Sequence, residues 1–130
     1  MQIHSHRLAD VHVVQVTGRV DHETAAAFDA CLSPVLAEAG GTGSALVLDF
    51  SGVDYISSVG LRVLMVAARQ MRERQAALAI CGLCSVVAEI FAISRFDRVL
   101  AVHPTLDAAL DKLSAPAAAA YRAAGMPSAP

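Results

Sequence analysis

The chain has 130 residues, about one domain's worth of sequence, and 55 % of them are hydrophobic, which is enough to build a core. Aromatic residues make up only 5 %, without Trp, so base or sugar stacking has few candidates. Ten basic side chains stand against 12 acidic ones, which leaves no basic field for phosphate backbones or anionic lipid. We therefore expect no nucleic acid and no membrane among the partners.

The N-terminal part of the chain predicts two strands, over residues 3–8 and 11–17, that form an antiparallel hairpin. The second strand is rich in β-branched residues. It places Val14 and Val16 on one face and Val11 and Val13 on the other. Asp21 then caps a first helix, whose apolar positions recur at helical spacing. Pro34 removes a backbone donor, so this helix is predicted to kink or break near Ser33.

The middle of the chain predicts a buried strand and a long helix. A flexible glycine-rich loop over residues 40–44 leads into residues 45–50, where five of six residues are apolar without alternation, as in a strand covered on both faces. Residues 51–54 are predicted to turn, and a helix runs from about Ser57 to Arg74. Its predicted apolar stripe consists of Leu61, Leu64, Met65, Ala68 and Met71.

The last third predicts a strand over 77–81, a helix over 85–93, a strand over 99–102 and a helix capped by Thr105. The inward residues of the helix over 85–93 are predicted to be Val86, Val87, Ile90 and Ile93. The whole order predicts an α/β domain over residues 1–113, with a mainly parallel mixed sheet, an N-terminal antiparallel hairpin and about four helices. The Ala/Pro-rich residues 114–130 have little to bury and are expected to be a mostly disordered tail, in which residues 117–124 could form a transient helix.

Two adjacent serines carry the most specific chemistry. Ser57 and Ser58 stand where the second helix begins, at free backbone N–H groups and the positive end of the helix dipole. A phosphate there would add about two negative charges to a nearly neutral surface and could switch a docked interface. The other interpretation is that a serine only caps the helix, worth about 1 kcal/mol, and spacing alone favours the cap.

The same segment carries a family resemblance. The run from Val47 to Leu61 contains a strand, Asp-x-Ser, a short loop and Ser-Ser-x-Gly-Leu, and resembles the signature of the STAS domain in bacterial anti-sigma factor antagonists. Gly18-Arg19-Val20-Asp21 is similar to that family's earlier G-x-[LIVF]-D segment, and the order of elements also matches. The resemblance covers residues 1 to about 113 and implies a single STAS-type domain.

The resemblance implies partner switching rather than catalysis. Such antagonists, when unphosphorylated, bind a serine kinase of the histidine-kinase-like ATPase fold that also acts as the anti-sigma factor. The kinase phosphorylates the serine before x-Gly, which is Ser58 here, and a PP2C-type phosphatase reverses the step. Many members have Asp before this serine and Ser or Thr after it, whereas this chain has Ser57 and Val59, which makes Ser57 the alternative phosphorylation site.

A partner-binding surface follows from the same placement. The Asp21 loop, the predicted loop over 51–55 and the start of the second helix should meet at one edge of the sheet. Tyr and Arg suit interface cores by residue type, although a turn tyrosine and a solvated arginine are equally ordinary. The candidate contacts are Asp21, His22, Tyr55, Ser57, Ser58 and Arg62.

Two other functions stay open at this point. Cys81-Gly82-Leu83-Cys84 has the C-x-x-C spacing of a dithiol redox centre, which predicts a reactive thiol of low pKa. The second open function is that of a sensory STAS module, which binds a small ligand or a protein without phosphorylation. No nucleotide or nucleophile motif is present, so we expect no enzyme, no catalytic residues, no cofactor and no metal site.

The expected compartment is the cytoplasm. No apolar run approaches the ~18 residues that a membrane span needs, and the first residues lack the basic start and apolar stretch of a signal peptide. Three cysteines, an odd number, fit a reducing compartment better than a disulfide framework.

Overall fold

The computed structural model describes residues 1–38 and 44–124, so residues 40–43 of the predicted glycine-rich loop and residues 125–130 of the tail lie outside the described residues. The strands are β1 (Gln2–Leu8), β2 (Val11–Val20), β3 (Ala45–Ile56), β4 (Ala77–Cys81) and β5 (Ala101–His103). The helices are α1 (Ala25–Glu38), α2 (Ser58–Glu73), α3 (Ser85–Ile93), α4 (Leu106–Leu113) and α5 (Ala115–Ala123), with a 3-10 turn over Phe96–Arg98. Among these described helices, none combines the length and apolar character that crossing a bilayer requires.

The strands form one mixed sheet in the order β1-β2-β3-β4-β5. β1 is antiparallel to β2, and the other neighbouring strands are parallel. The predicted α/β fold with an N-terminal hairpin and a mainly parallel sheet is therefore confirmed. The parallel strands follow one another in chain order, so their right-handed crossovers place α1, α2 and α3 on one face of the sheet, and α4 and α5, which follow the last strand, cover the other.

The two faces of the sheet bury two separate cores. Val14 and Val16 of β2 lie in the larger core with side chains of α1, α2 and α3. Val11 and Val13, on the opposite face of the same strand, lie in the smaller core with side chains of α4 and α5. The alternation that the sequence predicted for this strand is thus confirmed, and it determines which helices pack on which side.

The turn predicted over residues 51–54 is wrong, because β3 continues through it to Ile56. β2 also continues, and the two strands stay paired, with shifts in register, from Thr17 opposite Gly52 to Val20 opposite Ile56. A Cβ at Gly52 would lie 2.5 Å from Thr17 Cγ2, so the glycine allows the neighbouring strand to approach closely. Ser-Gly-Val-Asp looks like a turn by composition, but pairing with β2 overrides that local preference.

Of the kink or break predicted near Ser33, the break is wrong, since α1 runs without interruption through Pro34. Pro34 leaves the carbonyl of Ala30 without its helical amide, and both residues are exposed. Water can therefore satisfy that carbonyl. The Ser33 hydroxyl donates to the Asp29 carbonyl at 2.9 Å, which reinforces the same turn.

Two predicted apolar stripes face the core for the most part, but each includes side chains that the structure exposes. On α3, Ile93 is 76 % exposed and Val86 is also exposed, whereas Phe91 is buried. Phe91 meets Phe96 edge to face, with ring centroids 5.4 Å apart, and this aromatic pair is buried in the larger core. On α2, Met65 is 44 % exposed, while Leu64, Ala67, Ala68 and Met71 face the core.

Beyond residue 113, the part of the chain that the structure describes forms α5. Ser114 caps α5 by accepting a hydrogen bond from Ala117 N–H at 3.2 Å, and its hydroxyl donates to the Asp10 carboxylate at 2.6 Å. Ala117, Ala118 and Tyr121 are buried in the smaller core. Alanines bury little area each, but their small size lets α5 lie close to the sheet, so the compact unit extends beyond residue 113.

Replacing Ser114 tests how α5 is attached. Ser114→Ala removes both the helix cap and the hydrogen bond to Asp10, and we expect it to lower the free energy of unfolding by about 1–2 kcal/mol. Ser94→Ala is the matched control, because the exposed Ser94 hydroxyl bonds only to carbonyls of its own helix. Urea unfolding of both variants measures the difference. Equal stabilities would show that the Ser114 contacts do not hold α5.

Candidate functional site

The ends of β2 and β3 and the start of α2 meet at one corner of the molecule, called here the serine corner and consisting of Arg19–Thr24 and Tyr55–Arg62. Val20 and Ile56 form the last aligned pair of the two strands. Immediately after this pair, the Ser57 N–H donates to the Val20 carbonyl at 2.8 Å. This hydrogen bond holds the first turn of α2 beside the Asp21 turn, as the sequence predicted.

The two serines have different surroundings. Ser57 is the N-cap of α2, is half-buried, and its Oγ accepts from Gly60 N–H at 3.3 Å. Ser58 is the first residue of the helix and is exposed. It lines an open groove of about 320 Å³ together with Arg62 and Phe96. One serine therefore serves as the cap, and the other leaves its hydroxyl open to solvent.

Gly60 explains why a glycine follows the serines. It is buried in the first turn of α2, and a Cβ there would lie 2.8 Å from Val20 Cγ1 and 2.8 Å from Ile56 Cγ1. It would also lie 3.1 Å from the Val20 carbonyl oxygen, which already accepts from Ser57. The absence of a side chain is what lets α2 approach the ends of both strands.

The Asp21 turn is held by its own carboxylate. Oδ1 accepts from the N–H groups of Glu23 at 3.0 Å and Thr24 at 3.2 Å, and the Asp21 N–H donates to Thr24 Oγ1 at 2.9 Å. α1 itself begins four residues later, at Ala25. Burial acts to raise the pKa of Asp21, but the hydrogen bonds from Glu23, Thr24 and Arg19 outweigh it, and the pKa is lowered. This turn is therefore weakened only when the pH falls low enough to protonate Asp21.

Arg19 is a site residue that the sequence reasoning missed. Its guanidinium carbon lies 4.5 Å from the centre of the Tyr55 ring, and its Nε lies 3.4 Å from Asp21 Oδ2. The cation therefore joins two of the predicted contact residues, by a cation–π contact on one side and an ion pair on the other. The Gly-Arg-Val-Asp segment contains it, but only the pairing of Arg19 opposite Tyr55 shows its role.

The six predicted contact residues thus lie on neighbouring elements. Asp21 and Tyr55 are joined through Arg19, His22 is exposed beside Asp21, and Ser57 and Ser58 start α2. Arg62 follows Ser58 by one helical turn and lines the same groove. The predicted loop over 51–55 is strand instead, so Tyr55 is presented from a rigid element.

Comparison with known proteins decides the family. The family model described as "Mlab, STAS domain" matches residues 4–117, which is most of the chain. The chain belongs to the STAS domain family. The match includes the Gly18–Asp21 segment and both serines, so the resemblance seen in these motifs is confirmed.

Similar proteins carry one recurring description. BtrV of Bordetella bronchiseptica, named as an anti-sigma factor antagonist, is 44 % identical over 64 residues, or 49 % of this chain and 55 % of BtrV. The matched stretch of this STAS protein therefore spans about half the length of that relative. A crystal structure of an anti-sigma factor antagonist from Mycobacterium paratuberculosis has a TM-score of 0.77 at 26 % identity, covering 86 % of this chain and 92 % of that one.

A third similar protein, SpoIIAA, has been solved in two forms. The unphosphorylated form has a TM-score of 0.70 at 15 % identity and covers 85 % of this chain and 95 % of its own. The phosphorylated form, from Bacillus, has a TM-score of 0.65 at 14 % identity and covers 87 % of this chain and 100 % of its own. This STAS domain therefore has the fold of anti-sigma factor antagonists.

The first cysteine of the C-x-x-C segment, Cys81, lies in a setting that disfavours thiolate chemistry. Cys81 ends β4 and is fully buried in the smaller core, while Cys84 is half-buried at the N-cap of α3. Burial, reinforced by the Asp49 carboxylate, raises the pKa of the Cys81 thiol to about 12. In the part of the chain that the structure describes, no three His, Cys, Asp or Glu side chains are grouped to hold a metal ion.

Adding a methyl group at Gly60 tests the close approach of α2. Gly60→Ala improves helix propensity by about 1 kcal/mol, but its Cβ must displace buried side chains of Val20 and Ile56. We expect a net loss of about 1–3 kcal/mol in the free energy of unfolding, measured with urea. Val59→Ala, at an exposed position of the same turn, is the control and should change little. A Gly60→Ala protein as stable as wild type would contradict this account.

Thiol labelling tests the setting of the cysteines. At pH 7.5, Ellman's reagent should react rapidly with the exposed Cys31 and leave Cys81 unlabelled until the protein unfolds, since the Cys81 thiol is buried and protonated. Cys31→Ser should remove the rapid phase. Fast native labelling of Cys81, located by peptide mapping, would restore the redox interpretation.

Proposed function

We propose that this STAS protein is an anti-sigma factor antagonist that works by partner switching, with Ser58 as the switch. The unphosphorylated protein binds a serine kinase of the histidine-kinase-like ATPase fold that also acts as the anti-sigma factor. Phosphorylation releases it, and a PP2C-type phosphatase resets it. The observation that carries this proposal is the exposed hydroxyl of Ser58 on the first turn of α2.

The geometry favours Ser58 over Ser57 as the phosphate acceptor. Ser57 Oγ is occupied as the helix cap and the residue is half-buried, so its modification would cost the cap. Ser58 Oγ is free to approach a kinase without any rearrangement of α2. In the transfer, Ser58 Oγ attacks the γ-phosphorus of ATP, the bond to ADP breaks, and the hydroxyl proton passes to a base on the kinase.

The position also suits a switch that leaves the fold intact. A phosphate on the first turn of a helix lies near unpaired N–H groups and the positive end of the dipole, which stabilise negative charge. The phosphorylated chain should therefore stay folded. The added charge, about two units, acts instead on whatever is docked beside it, through repulsion and the cost of desolvation.

The surface around Ser58 provides the partner contacts of the proposal. Tyr55 and Arg62 are of the residue types that dominate interface energies, and Arg19 holds Tyr55 and Asp21 in place. Because the Arg19 contacts form without a partner, this part of the surface is ordered before binding, which lowers the entropy cost of association. The remaining contacts are His22 and the two serines.

The family comparisons support this proposal. BtrV and the Mycobacterium paratuberculosis protein are named as anti-sigma factor antagonists, and SpoIIAA, which shares the fold, exists in unphosphorylated and phosphorylated forms. The proposal gives the protein a regulatory role without catalysis and places it in the cytoplasm with its kinase.

Phosphorylation assays test the switch. With the kinase encoded nearest to this gene and ATP, the protein should gain one phosphate, which Ser58→Ala should abolish and Ser57→Ala, the matched control, should not. Ser58→Asp should weaken binding to that kinase by about tenfold or more, measured by calorimetry, because the added charge disfavours docking. A phosphate mapped to another residue, or unchanged binding by Ser58→Asp, would contradict the proposal.

A further inference from the structure

One exposed face of α2 carries an unusual stripe. Ser58, Arg62, Met65, Arg69 and Arg72 follow one another at intervals of four and three residues and are all exposed. Residues at this spacing lie above one another on a helix. The stripe covers four turns, about 21 Å at 1.5 Å per residue, and begins at the proposed switch.

The stripe lines two neighbouring grooves, called together the α2 trough and defined here by the α2 stripe with Phe96 and Val99. Its first part is the groove of about 320 Å³ that is lined by Ser58, Met65 and Phe96, among others. The second part, about 210 Å³, shares Met65 and reaches Arg72 and Val99. Both parts are lined by the exposed side chain of Met65, so they lie next to one another along α2.

The charge in this trough is of one sign. The charged side chains that line it are Arg62, Arg69 and Arg72, while the chain as a whole has a formal charge of −2. Within the described residues, none of these three arginines has a carboxylate within ion-pair distance. Three unpaired cations along one side of exposed apolar side chains favour a ligand with a row of carboxylates beside an apolar strip.

We propose that the α2 trough binds an acidic amphipathic helix of a partner protein. Met65 and Val99, which are exposed, would contact the apolar side of that helix, and the arginines would pair with its carboxylates, as in helix-in-groove recognition. The length of the trough matches a partner helix of about 14 residues. This interaction does not require phosphorylation.

The link between this trough and the switch rests on the proposed function. Ser58 lies at one end of the trough, four residues before Arg62, so a phosphate on Ser58 is within reach of the Arg62 guanidinium. The phosphate would then neutralise one cation that the acidic helix uses and repel the carboxylates of that helix. Phosphorylation should therefore weaken the binding of an acidic partner more than that of a neutral one.

A peptide titration tests the trough without a natural partner. The probe is a synthetic 14-residue amphipathic helix with leucines on one face and glutamates on the other faces, added to the full ¹⁵N-labelled chain. Amide shift changes should be confined to α2 and residues 94–100. Arg69→Glu with Arg72→Glu should weaken binding about tenfold or more, and Arg7→Glu with Lys112→Glu, which changes the net charge equally on exposed positions elsewhere, should not.

Several results would overturn the trough proposal. Shift changes outside α2 and residues 94–100, or equal binding by both double variants, would show that the peptide does not use these arginines. A leucine-scrambled peptide of the same charge that binds equally well would show that the exposed apolar side chains are not used. Binding to phosphatidylglycerol vesicles without binding to the peptide, or self-association lost in Arg69→Glu with Arg72→Glu, would assign the trough to lipid or to a second copy.

A last variant tests whether peptide binding in the α2 trough depends on negative charge at Ser58. Ser58→Asp should weaken the binding of the acidic peptide several-fold. The binding of an uncharged control peptide with the same apolar face should not change. Equal binding of the acidic peptide to wild type and Ser58→Asp would overturn the link to the switch. If the kinase fails to phosphorylate Ser58 but the peptide binds through the arginines, the proposed function fails and the trough proposal stands.

Discussion

The long parallel pairing of β2 with β3 is the constraint on which the serine corner depends. The two strands stay together as far as Val20 and Ile56, and the Ser57 N–H then donates to the Val20 carbonyl at 2.8 Å. This hydrogen bond fixes where α2 begins. Shortening either strand would separate the Asp21 turn from the serines, and the surface around Ser58 would lose its geometry.

Close packing at Gly60 determines the direction in which α2 leaves the sheet. The bare glycine lets the first turn of α2 rest on Val20 and Ile56, so the helix leaves the sheet at one defined angle. The exposed side of the first turn then presents Ser58, and each further turn presents an arginine or Met65. The orientation of this stripe, and with it the α2 trough, therefore follows from contacts made by a residue that has no side chain.

Much of this architecture could be predicted from local patterns, and the exceptions have physical reasons. The alternating valines of β2 predicted both faces of the sheet correctly, because period-two burial is a local property. Ser51 to Asp54 looked like a turn, since the partner strand that keeps them extended is distant in sequence. The packing of α5 on the sheet was not expected, because alanines give little hydrophobic signal, although Ala117 and Ala118 are buried.

In the candidate site too, residues marked by a short sequence motif could be predicted, and those whose contacts depend on distant parts of the chain could not. The serines and Asp21 could be found because motifs mark them in one short stretch each. Arg19 could not, since its contact with Tyr55 arises only when two strands separated by α1 align. The core-facing residues of α3, by contrast, follow helical spacing at Val87, Ile90 and Phe91, so this face could have been predicted from residues 85–93 alone.

The sheet separates two cores that draw on different side chains. Substitutions beneath α4 and α5 can therefore adjust thermal tolerance without moving the ends of β2 and β3. Over evolutionary time, the residues beneath α4 and α5 are free to change. Those on the opposite side of the sheet change together with the partner surfaces that they recognise.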